Sequence, residues 1–299
     1  MPKAAIHDLA LFGSPPEFPE PLHVGLPNIG DRRSLMRRLN RILDIRRLTN
    51  RGPNVEELER KLCEITGARH CIPVCNGTAG LEVLVRALEL EGEVIVPSMT
   101  FVATAHALEW LGITPVFCDI DPGTHNIDPG AVEKLITPRT TGIIGVHLWG
   151  RACAVDALTR IAERYGLKLV FDAAHAFGCS HRGRMIGNFG IAEVFSFHAT
   201  KFINSFEGGA IATNNDGLAD KCRLMARFGF SGYDNVISLG INAKMSEASA
   251  AMGLCSLERM EHFVSVNRRN LARYHRRLRG LQGLSVADYD ESEKNNFQY

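Results

Sequence analysis

From about Arg69 onward, short apolar runs rich in β-branched residues alternate with longer amphipathic segments. This alternation is typical of a mostly parallel sheet covered by helices. The predicted strands are Cys71–Val74, Glu93–Pro97, Pro115–Asp119, Gly142–His147, Lys168–Asp172, Val194–His198 and Ala210–Thr213. The predicted helices between them are Thr78–Leu90, Ala103–Leu111, Pro129–Ile136 and Asp156–Tyr165. Right-handed crossovers would place the strand ends, where ligands bind in open α/β sheets, at one edge of the molecule.

The first sixty residues are the least regular part of the chain. Prolines cluster over Ser14–Pro21, and an arginine-rich helical stretch follows from Asp31 to Arg47. Clustered prolines are typical of loops rather than of regular elements. We therefore expect residues 1–60 to form an N-terminal arm and helix that lie on the core.

After Ser246 the apolar positions recur at helical spacing as far as Leu278, which predicts one long helix or two joined end to end. Its last turns carry six arginines without a nearby acid. A solvated helix end is one interpretation of them, and a phosphate or acidic-partner site is the other. The last residues, Asn296–Tyr299, resemble an incoming strand. We expect a large domain over 61–245, and over 246–299 a long helix and the start of a small C-terminal domain, truncated at the chain end.

Composition narrows the class of protein. The chain has 299 residues, of which 45% are hydrophobic and 22% charged, as in ordinary globular proteins. A net charge of +1 argues against a dedicated binder of nucleic acid or anionic membranes. Met1–Ala10 lacks the apolar core of a secretory signal, and no stretch approaches the roughly 20 apolar residues of a membrane-spanning helix. Eight cysteines without a C-x-x-C pair suit reduced thiols and predict a cytoplasmic location.

The commonest nucleotide, hydrolase and zinc signatures are absent from the sequence, and three segments with candidate chemistry remain. The first, Val74–Gly80, leaves a predicted strand and enters a helix. Gly77 allows a tight turn, Thr78 can cap the helix, and the N–H groups of Thr78 and Ala79 would face an anion on the helix axis. This segment predicts a phosphate cradle, and a simple helix cap is the alternative.

The second segment, Leu169–His175, is an apolar strand that ends in Asp172 beside two alanines and a histidine. A carboxylate at that edge costs desolvation unless it meets a cation, such as a pyridinium N–H. A helix cap or a buried salt bridge are the structural alternatives.

The third segment, Val194–Lys201, delivers a serine, a histidine and a lysine into a loop that Glu207–Ala210 closes with two glycines. A lysine held there among aromatic and small residues is expected to be partly desolvated, as a Schiff-base amine requires. A surface lysine on a loop is the alternative.

The combination of a phosphate cradle, a strand-end aspartate and a later lysine is the order in which pyridoxal phosphate sites are assembled. With these motifs, the chain resembles the DegT/DnrJ/StrS family of sugar aminotransferases from about Leu22 to Tyr299. The resemblance implies pyridoxal 5'-phosphate (PLP) as cofactor. It also implies the aspartate-aminotransferase-like fold of PLP-dependent transferases (fold type I), a three-layer α/β/α sandwich with a mixed, mostly parallel sheet. The segments that carry it are Asn76–Ala79, Pro97–Thr104, Asp172–His175, Ser196–Lys201 and Glu207–Ala210.

The resemblance further implies a role for each residue around the cofactor. Lys201 would form the Schiff base and then move the proton, and Asp172 would keep the pyridine nitrogen protonated. Phe101 would stack on the ring, and His175 would lie beside the ring and its hydroxyl. No metal is implied.

The cofactor phosphate would be held by backbone groups of Thr78 and Ala79 together with Ser196. Asn242, within Gly240–Met245, resembles the residue that reaches the cofactor phosphate of the neighbouring subunit. A homodimer with shared active sites is therefore implied.

Lysine at position 201 distinguishes the aminotransferases of this family from its sugar dehydratases, which carry histidine there. The finer similarity, at Leu22–Asn28 and Gly145–Gly150, is to members that act at carbon 4 of dTDP-4-keto-6-deoxyglucose. The implied reaction moves an amino group from L-glutamate or a similar donor to a nucleotide-linked 4-keto-6-deoxyhexose. A 3-keto-sugar aminotransferase of the same family is the alternative.

Two other functions remain open. Cys118–Asp121 contains an acid-x-acid pair of the kind with which sugar-nucleotide glycosyltransferases hold a divalent metal. A turn over Asp121–Gly123 explains the same residues structurally. A non-catalytic protein that only binds the cofactor or the sugar is the third interpretation.

Overall fold

A seven-stranded sheet forms the centre of the molecule. The structure is a computed structural model that describes residues 7, 10–16, 18–21, 23, 25–284 and 286–298. The strands of this sheet are β1 (His70–Val74), β2 (Glu93–Pro97), β3 (Thr114–Cys118), β4 (Thr140–Val146), β5 (Lys168–Asp172), β8 (Ala192–Ser196) and β9 (Gly209–Thr213). Two short strands, β6 (Ser180–His181) and β7 (Arg184–Met185), form a separate hairpin.

The strand order is β1-β9-β8-β5-β4-β2-β3. Strand β9 runs antiparallel to both of its neighbours, and the remaining pairs are parallel. The sheet is therefore mixed and mostly parallel, as predicted. Because β4, β5 and β8 are adjacent and parallel, the loops that follow them meet at one edge of the sheet.

Helices cover both faces of the sheet. They are α1 (Arg32–Asp44), α2 (Pro53–Thr66), α3 (Gly77–Ala87), α4 (Ala103–Glu109), α5 (Pro129–Leu135), α6 (Val155–Tyr165), α7 (Asp216–Met225), α8 (Glu247–Leu257) and α9 (Met260–Leu278). Helices α3, α4 and α7 pack on one face, whereas α2, α8, α5 and α6 pack on the other. The buried strands serve both layers, because successive side chains such as Val170 and Phe171 point to opposite faces.

Helix α2 differs from the expectation for the first sixty residues. It buries Val55, Leu58 and Leu62 in the core, so the boundary expected between residues 60 and 61 falls inside a core helix. Its N-terminus is capped by the carboxylate of Glu247, which accepts the amides of Asn54 and Val55 at 2.8 and 3.1 Å. Helix α7 was likewise not predicted.

The C-terminal part matches its prediction in one respect and differs from it in another. The helical pattern after Ser246 forms two consecutive helices, α8 and α9, which is one of the two predicted arrangements. Residues 296–298 form no strand, and Tyr299 lies outside the described residues. All six arginines at the end of α9 are exposed, but two pair with later acids, Arg268 with Glu291 at 3.7 Å and Arg279 with Asp288 at 2.9 Å. The division into a large domain over 61–245 and a small C-terminal domain over 246–299 remains a prediction.

Some segments discussed from the sequence lie partly outside the described residues. These are most of Met1–Ala10 and the single positions Glu17, Leu22 and Val24. Within the described residues, no helix is long and apolar enough to cross a membrane. All eight cysteines lie in the described part and carry free thiols, as the reduced state predicts.

Candidate active site

A cavity of about 720 Å³ opens where β5 and β8 end and α3 begins. This volume lies in the range of small-molecule binding sites, roughly 300–1,000 Å³. Seven of the eight residues implied by the family resemblance line it, and Asn242 does not. The seven are Thr78, Ala79, Phe101, Asp172, His175, Ser196 and Lys201.

The N-terminus of α3 forms one wall of the cavity. Asn76, not Thr78, is its N-cap, and its side chain accepts the amide of Ala79 at 2.8 Å. The expected free N–H of Ala79 is therefore already engaged, whereas no hydrogen bond found among the described residues uses the amide of Thr78. The helix start lies close to β8, because a Cβ added at Gly77 would be 3.4 Å from that of Ser196.

Asp172 ends β5 and is only 6% exposed. Its Oδ1 accepts the amide of Ala174 at 3.0 Å, and its Oδ2 accepts the hydroxyl of Thr104 at 2.7 Å. Burial raises the pKa of Asp172 above 3.8, and the two hydrogen bonds and the charges of Lys201 and His147 oppose this rise. A buried carboxylate with a raised pKa is suited to a cationic ligand group.

His175 lies three residues beyond Asp172, on the same cavity wall. Its Nδ1 accepts the amide of Trp149 at 3.2 Å, so in the neutral ring the proton belongs on Nε2. Burial lowers the pKa of His175 to about 3, and the nearby charge of Lys201 acts in the same direction. His175 is therefore a neutral hydrogen-bond donor at physiological pH.

Lys201 lies half-buried in the loop between β8 and β9. Its own amide donates to the carbonyl of His198 at 2.8 Å, and the loop is closed where Phe197 donates to Gly208 at 2.8 Å. The N-terminal arm braces the same loop, because the side chain of Asn28 donates to the carbonyl of Phe202 at 3.1 Å. This part of the N-terminal segment thus contacts the loop that carries the lysine.

The C-terminal segment holds the loop that carries His175. Asn296 is fully buried, and its Nδ2 donates to the carbonyls of His175 and Phe177 at 2.8 and 3.1 Å. Gln298 extends this contact to the lysine loop, where its Oε1 accepts the amide of Phe202 at 3.3 Å. The sequence predicts a strand over Asn296–Tyr299 instead of these side-chain contacts. Four residues are too few to distinguish a β-strand from an extended segment without strand pairing.

Replacing Asn296 by alanine is expected to lower the free energy of unfolding by about 2–3 kcal/mol, because two buried carbonyls lose their donor. Urea denaturation of the purified protein measures the change. Asn295→Ala is the control, since its donors reach the carbonyls of Asp290 and Glu293 in a less buried place. Equal losses in the two variants would contradict the special role of Asn296.

The acid-x-acid pair at Asp119 and Asp121 forms a turn. Oδ1 of Asp121 accepts the amides of Gly123 and Thr124 at 3.0 and 2.7 Å, and both aspartates are exposed. In the part of the chain that the structure describes, no group of three or more His, Cys, Asp or Glu side chains could hold a metal ion. The turn interpretation accounts for these residues.

Comparison with known proteins identifies the family. The model of the DegT/DnrJ/EryC1/StrS aminotransferase family matches residues 31–299. The chain belongs to this family. Two curated members are similar over nearly the whole chain. The dTDP-4-amino-4,6-dideoxy-D-glucose transaminase of Shigella dysenteriae is 40% identical over 94% of this chain and 76% of its own length. The Escherichia coli protein of the same name is 37% identical over 91% and 74%.

A solved structure of the family is also close in its backbone. DesI, crystallised in the presence of its TDP-sugar product, is 53% identical and superposes with a TM-score of 0.93. The superposition covers 99% of this chain and 75% of DesI. This confirms the predicted family and the predicted fold.

Proposed function

We propose that this family member is a PLP-dependent sugar-nucleotide aminotransferase that acts at carbon 4 of dTDP-4-keto-6-deoxyglucose. L-Glutamate or a similar amino acid is the proposed donor. The observation that carries the proposal is the cavity in which Lys201 and the buried Asp172 line one space together with the start of α3.

The residues of this cavity fit the cofactor. PLP, when bound, supplies the electron sink that makes transfer of an amino group feasible. Asp172 is a buried carboxylate with a raised pKa, so a protonated pyridine nitrogen beside it would satisfy its charge. The phosphate fits the N-terminal end of α3, where the Thr78 amide and the Ser196 hydroxyl line the cavity.

Three side chains do the remaining work. Lys201 would hold the cofactor covalently through Nζ. It would then move a proton between the reacting carbon atoms of the substrate and the cofactor. Phe101, 70% exposed at the cavity mouth, offers an aromatic face for the ring. His175, with its proton on Nε2, can donate a hydrogen bond into the cavity.

The substrate assignment is supported by the relatives. The curated Shigella and Escherichia proteins are named for a 4-amino-4,6-dideoxyglucose nucleotide, and DesI was crystallised with a TDP-sugar product. The likeness to them spans the cavity, since it covers more than nine-tenths of this chain. We therefore assign the 4-keto sugar rather than its 3-keto isomer.

A homodimer with shared active sites is part of the proposal, as is a cytoplasmic location. Asn242 is exposed and does not line the cavity of its own chain, so a role at the phosphate requires a second copy. The preceding segment exposes apolar side chains, including Val236 at 57%, Ile237 at 60% and Leu239 at 71%. Contiguous exposed apolar residues of this kind mark protein interfaces.

Product analysis tests the proposed function. The purified protein, supplied with PLP and L-glutamate, is incubated with dTDP-4-keto-6-deoxyglucose or with the 3-keto isomer, and nuclear magnetic resonance locates the new amine. We expect an amine at carbon 4 and an equal amount of 2-oxoglutarate. Amination of the 3-keto sugar alone would contradict the carbon assignment, and no amination of either sugar would contradict the function.

A further inference from the structure

The side chain of Thr104, on helix α4, donates a hydrogen bond to the carboxylate of Asp172 at the end of β5. It lies in the first turn of α4, is fully buried, and places Oγ1 2.7 Å from Oδ2 of Asp172. Behind it, the hydroxyl of Thr100 lies 2.8 Å from the hydroxyl of Thr104. The backbone amide of Thr104 also donates to the carbonyl of Phe101 at 3.1 Å.

The direction of these hydrogen bonds follows from the number of protons. An ionised carboxylate only accepts, and a threonine hydroxyl has a single proton to donate. Thr104 must therefore donate to the charged Asp172, and Thr100 must donate to the oxygen of Thr104. If Asp172 takes up a proton, this order is no longer imposed. The two hydroxyls thus form a short chain that is matched to the ionised form of Asp172.

We propose that Thr104 is a positioning residue that favours the ionised form of Asp172 and fixes the orientation of its carboxylate in the cavity that would hold the cofactor, with Thr100 as its support. This inference rests on the proposed function. The amide of Ala174 holds the other carboxylate oxygen, so the carboxylate is oriented at both ends. Through its amide, Thr104 also couples this orientation to the turn that carries Phe101.

Other groups that face Asp172 cannot replace this contact. Lys201, in the loop after β8, lowers the pKa of Asp172 by its charge, but its amine is needed by the cofactor. His147, in the loop after β4, also lowers the pKa of Asp172 by its charge, but its Nε2 lies 3.2 Å from the buried carboxylate of Glu193. His175 is neutral because burial lowers its pKa to about 3. The Thr104 hydroxyl is the largest of the contacts that lower the pKa of Asp172 against its burial.

The test compares Thr104→Val, which keeps the shape but removes the hydroxyl, with Thr104→Ser, which keeps the hydroxyl. Each protein is loaded with PLP labelled with nitrogen-15 in the ring, and the ring-nitrogen resonance is followed with pH. In Thr104→Val, a weakened Asp172 charge should let the ring nitrogen lose its proton at lower pH. The cofactor dissociation constant should rise about tenfold. Thr104→Ser should match the wild type in both measurements.

A valine variant with the wild-type resonance and affinity would overturn the inference. Equal weakening in valine and serine variants, with no change in the resonance, would show a packing role only and would also overturn it. If Thr104→Val does not fold, Thr100→Val at its half-exposed site should move the ring-nitrogen titration in the same direction by a smaller amount. A wild-type protein that binds no PLP would instead refute the proposed function.

Discussion

Lys201→Ala is expected to lose all measurable transfer of amino groups, a fall of about 10⁴-fold or more. A positioned proton-transfer group alone contributes about 10²–10⁴-fold, and this lysine also supplies the covalent attachment. The variant should still fold and retain some cofactor, because the α3 start and Asp172 are unchanged. Activity is measured as 2-oxoglutarate released from glutamate in the presence of the keto sugar.

The matched control is Lys221→Ala. Lys221 lies on α7 with its amine paired to Glu89 at 2.5 Å, and it is absent from the cavity wall. The control variant should keep wild-type turnover. Residual turnover of more than a tenth in Lys201→Ala would show that another amine does this work, and the assignment of the cavity would then be wrong.

Asp172→Asn is expected to have the second-largest effect, a loss of about 10²–10⁴-fold in turnover with the cofactor still partly bound. Asparagine keeps the size of the side chain and an oxygen for the Thr104 hydroxyl, but it carries no charge to stabilise a protonated ring nitrogen. The cofactor dissociation constant should rise by about ten- to a hundredfold, since one charge-assisted hydrogen bond is lost. Absorbance titration with PLP measures this constant.

The same variant should be no less stable than the wild type when both are free of cofactor. The folded state raises the pKa of Asp172 above 3.8 because burial disfavours the charge. The contribution of Asp172 to folding stability is then fully present below pH 3.8, the unfolded-state value, and is lost as the pH rises through the raised folded-state pKa. At pH 8 the wild type bears this cost and Asp172→Asn does not. Urea denaturation at pH 4 and pH 8 should show that the difference in the free energy of unfolding between the two proteins shifts in favour of the variant at pH 8, since all other titrating groups are shared.

A wild-type protein whose stability does not depend on Asp172 between these pH values would contradict the burial argument. Fast turnover by Asp172→Asn would contradict its proposed role toward the ring nitrogen. The two measurements are independent, because one uses the cofactor-free protein and the other the loaded enzyme. Activity and stability moving in opposite directions are typical of a residue kept for function at a cost in stability.

The sheet could be predicted from the sequence because its strands are buried apolar runs bounded by turns. Strands β2 and β5 begin and end where the pattern indicates, and the other five differ by one or two residues at their ends. Helix α2 was missed because the arginines and prolines of the first sixty residues obscure an apolar stripe that only the packing against α8 reveals. Residues 296–298 were misassigned because their contacts are made by side chains, not by a strand ladder.

The sequence predicts the residues that line the cavity, but not the hydrogen bonds that hold those residues in place. Thr78 and Ala79 stand at a helix start, Asp172 and Ser196 end strands, and the other predicted lining residues lie in the adjoining loops, which parallel strands bring together. The hydrogen bond from Thr104 to Asp172 joins residues 68 positions apart. No local pattern specifies that distance. In contrast, the hydrogen bond from the Ala79 amide to the side chain of Asn76 could have been predicted from the sequence, because asparagine is a preferred N-cap residue.

The central claim is that the amine of Lys201 and the carboxylate of Asp172 hold the same cofactor ring between them. Reduction of the PLP-loaded wild type with borohydride, followed by peptide mass spectrometry, tests it most directly. We predict one phosphopyridoxyl group per chain, located on Lys201. Attachment to any other lysine, or a reduced protein without the added group, would contradict the account.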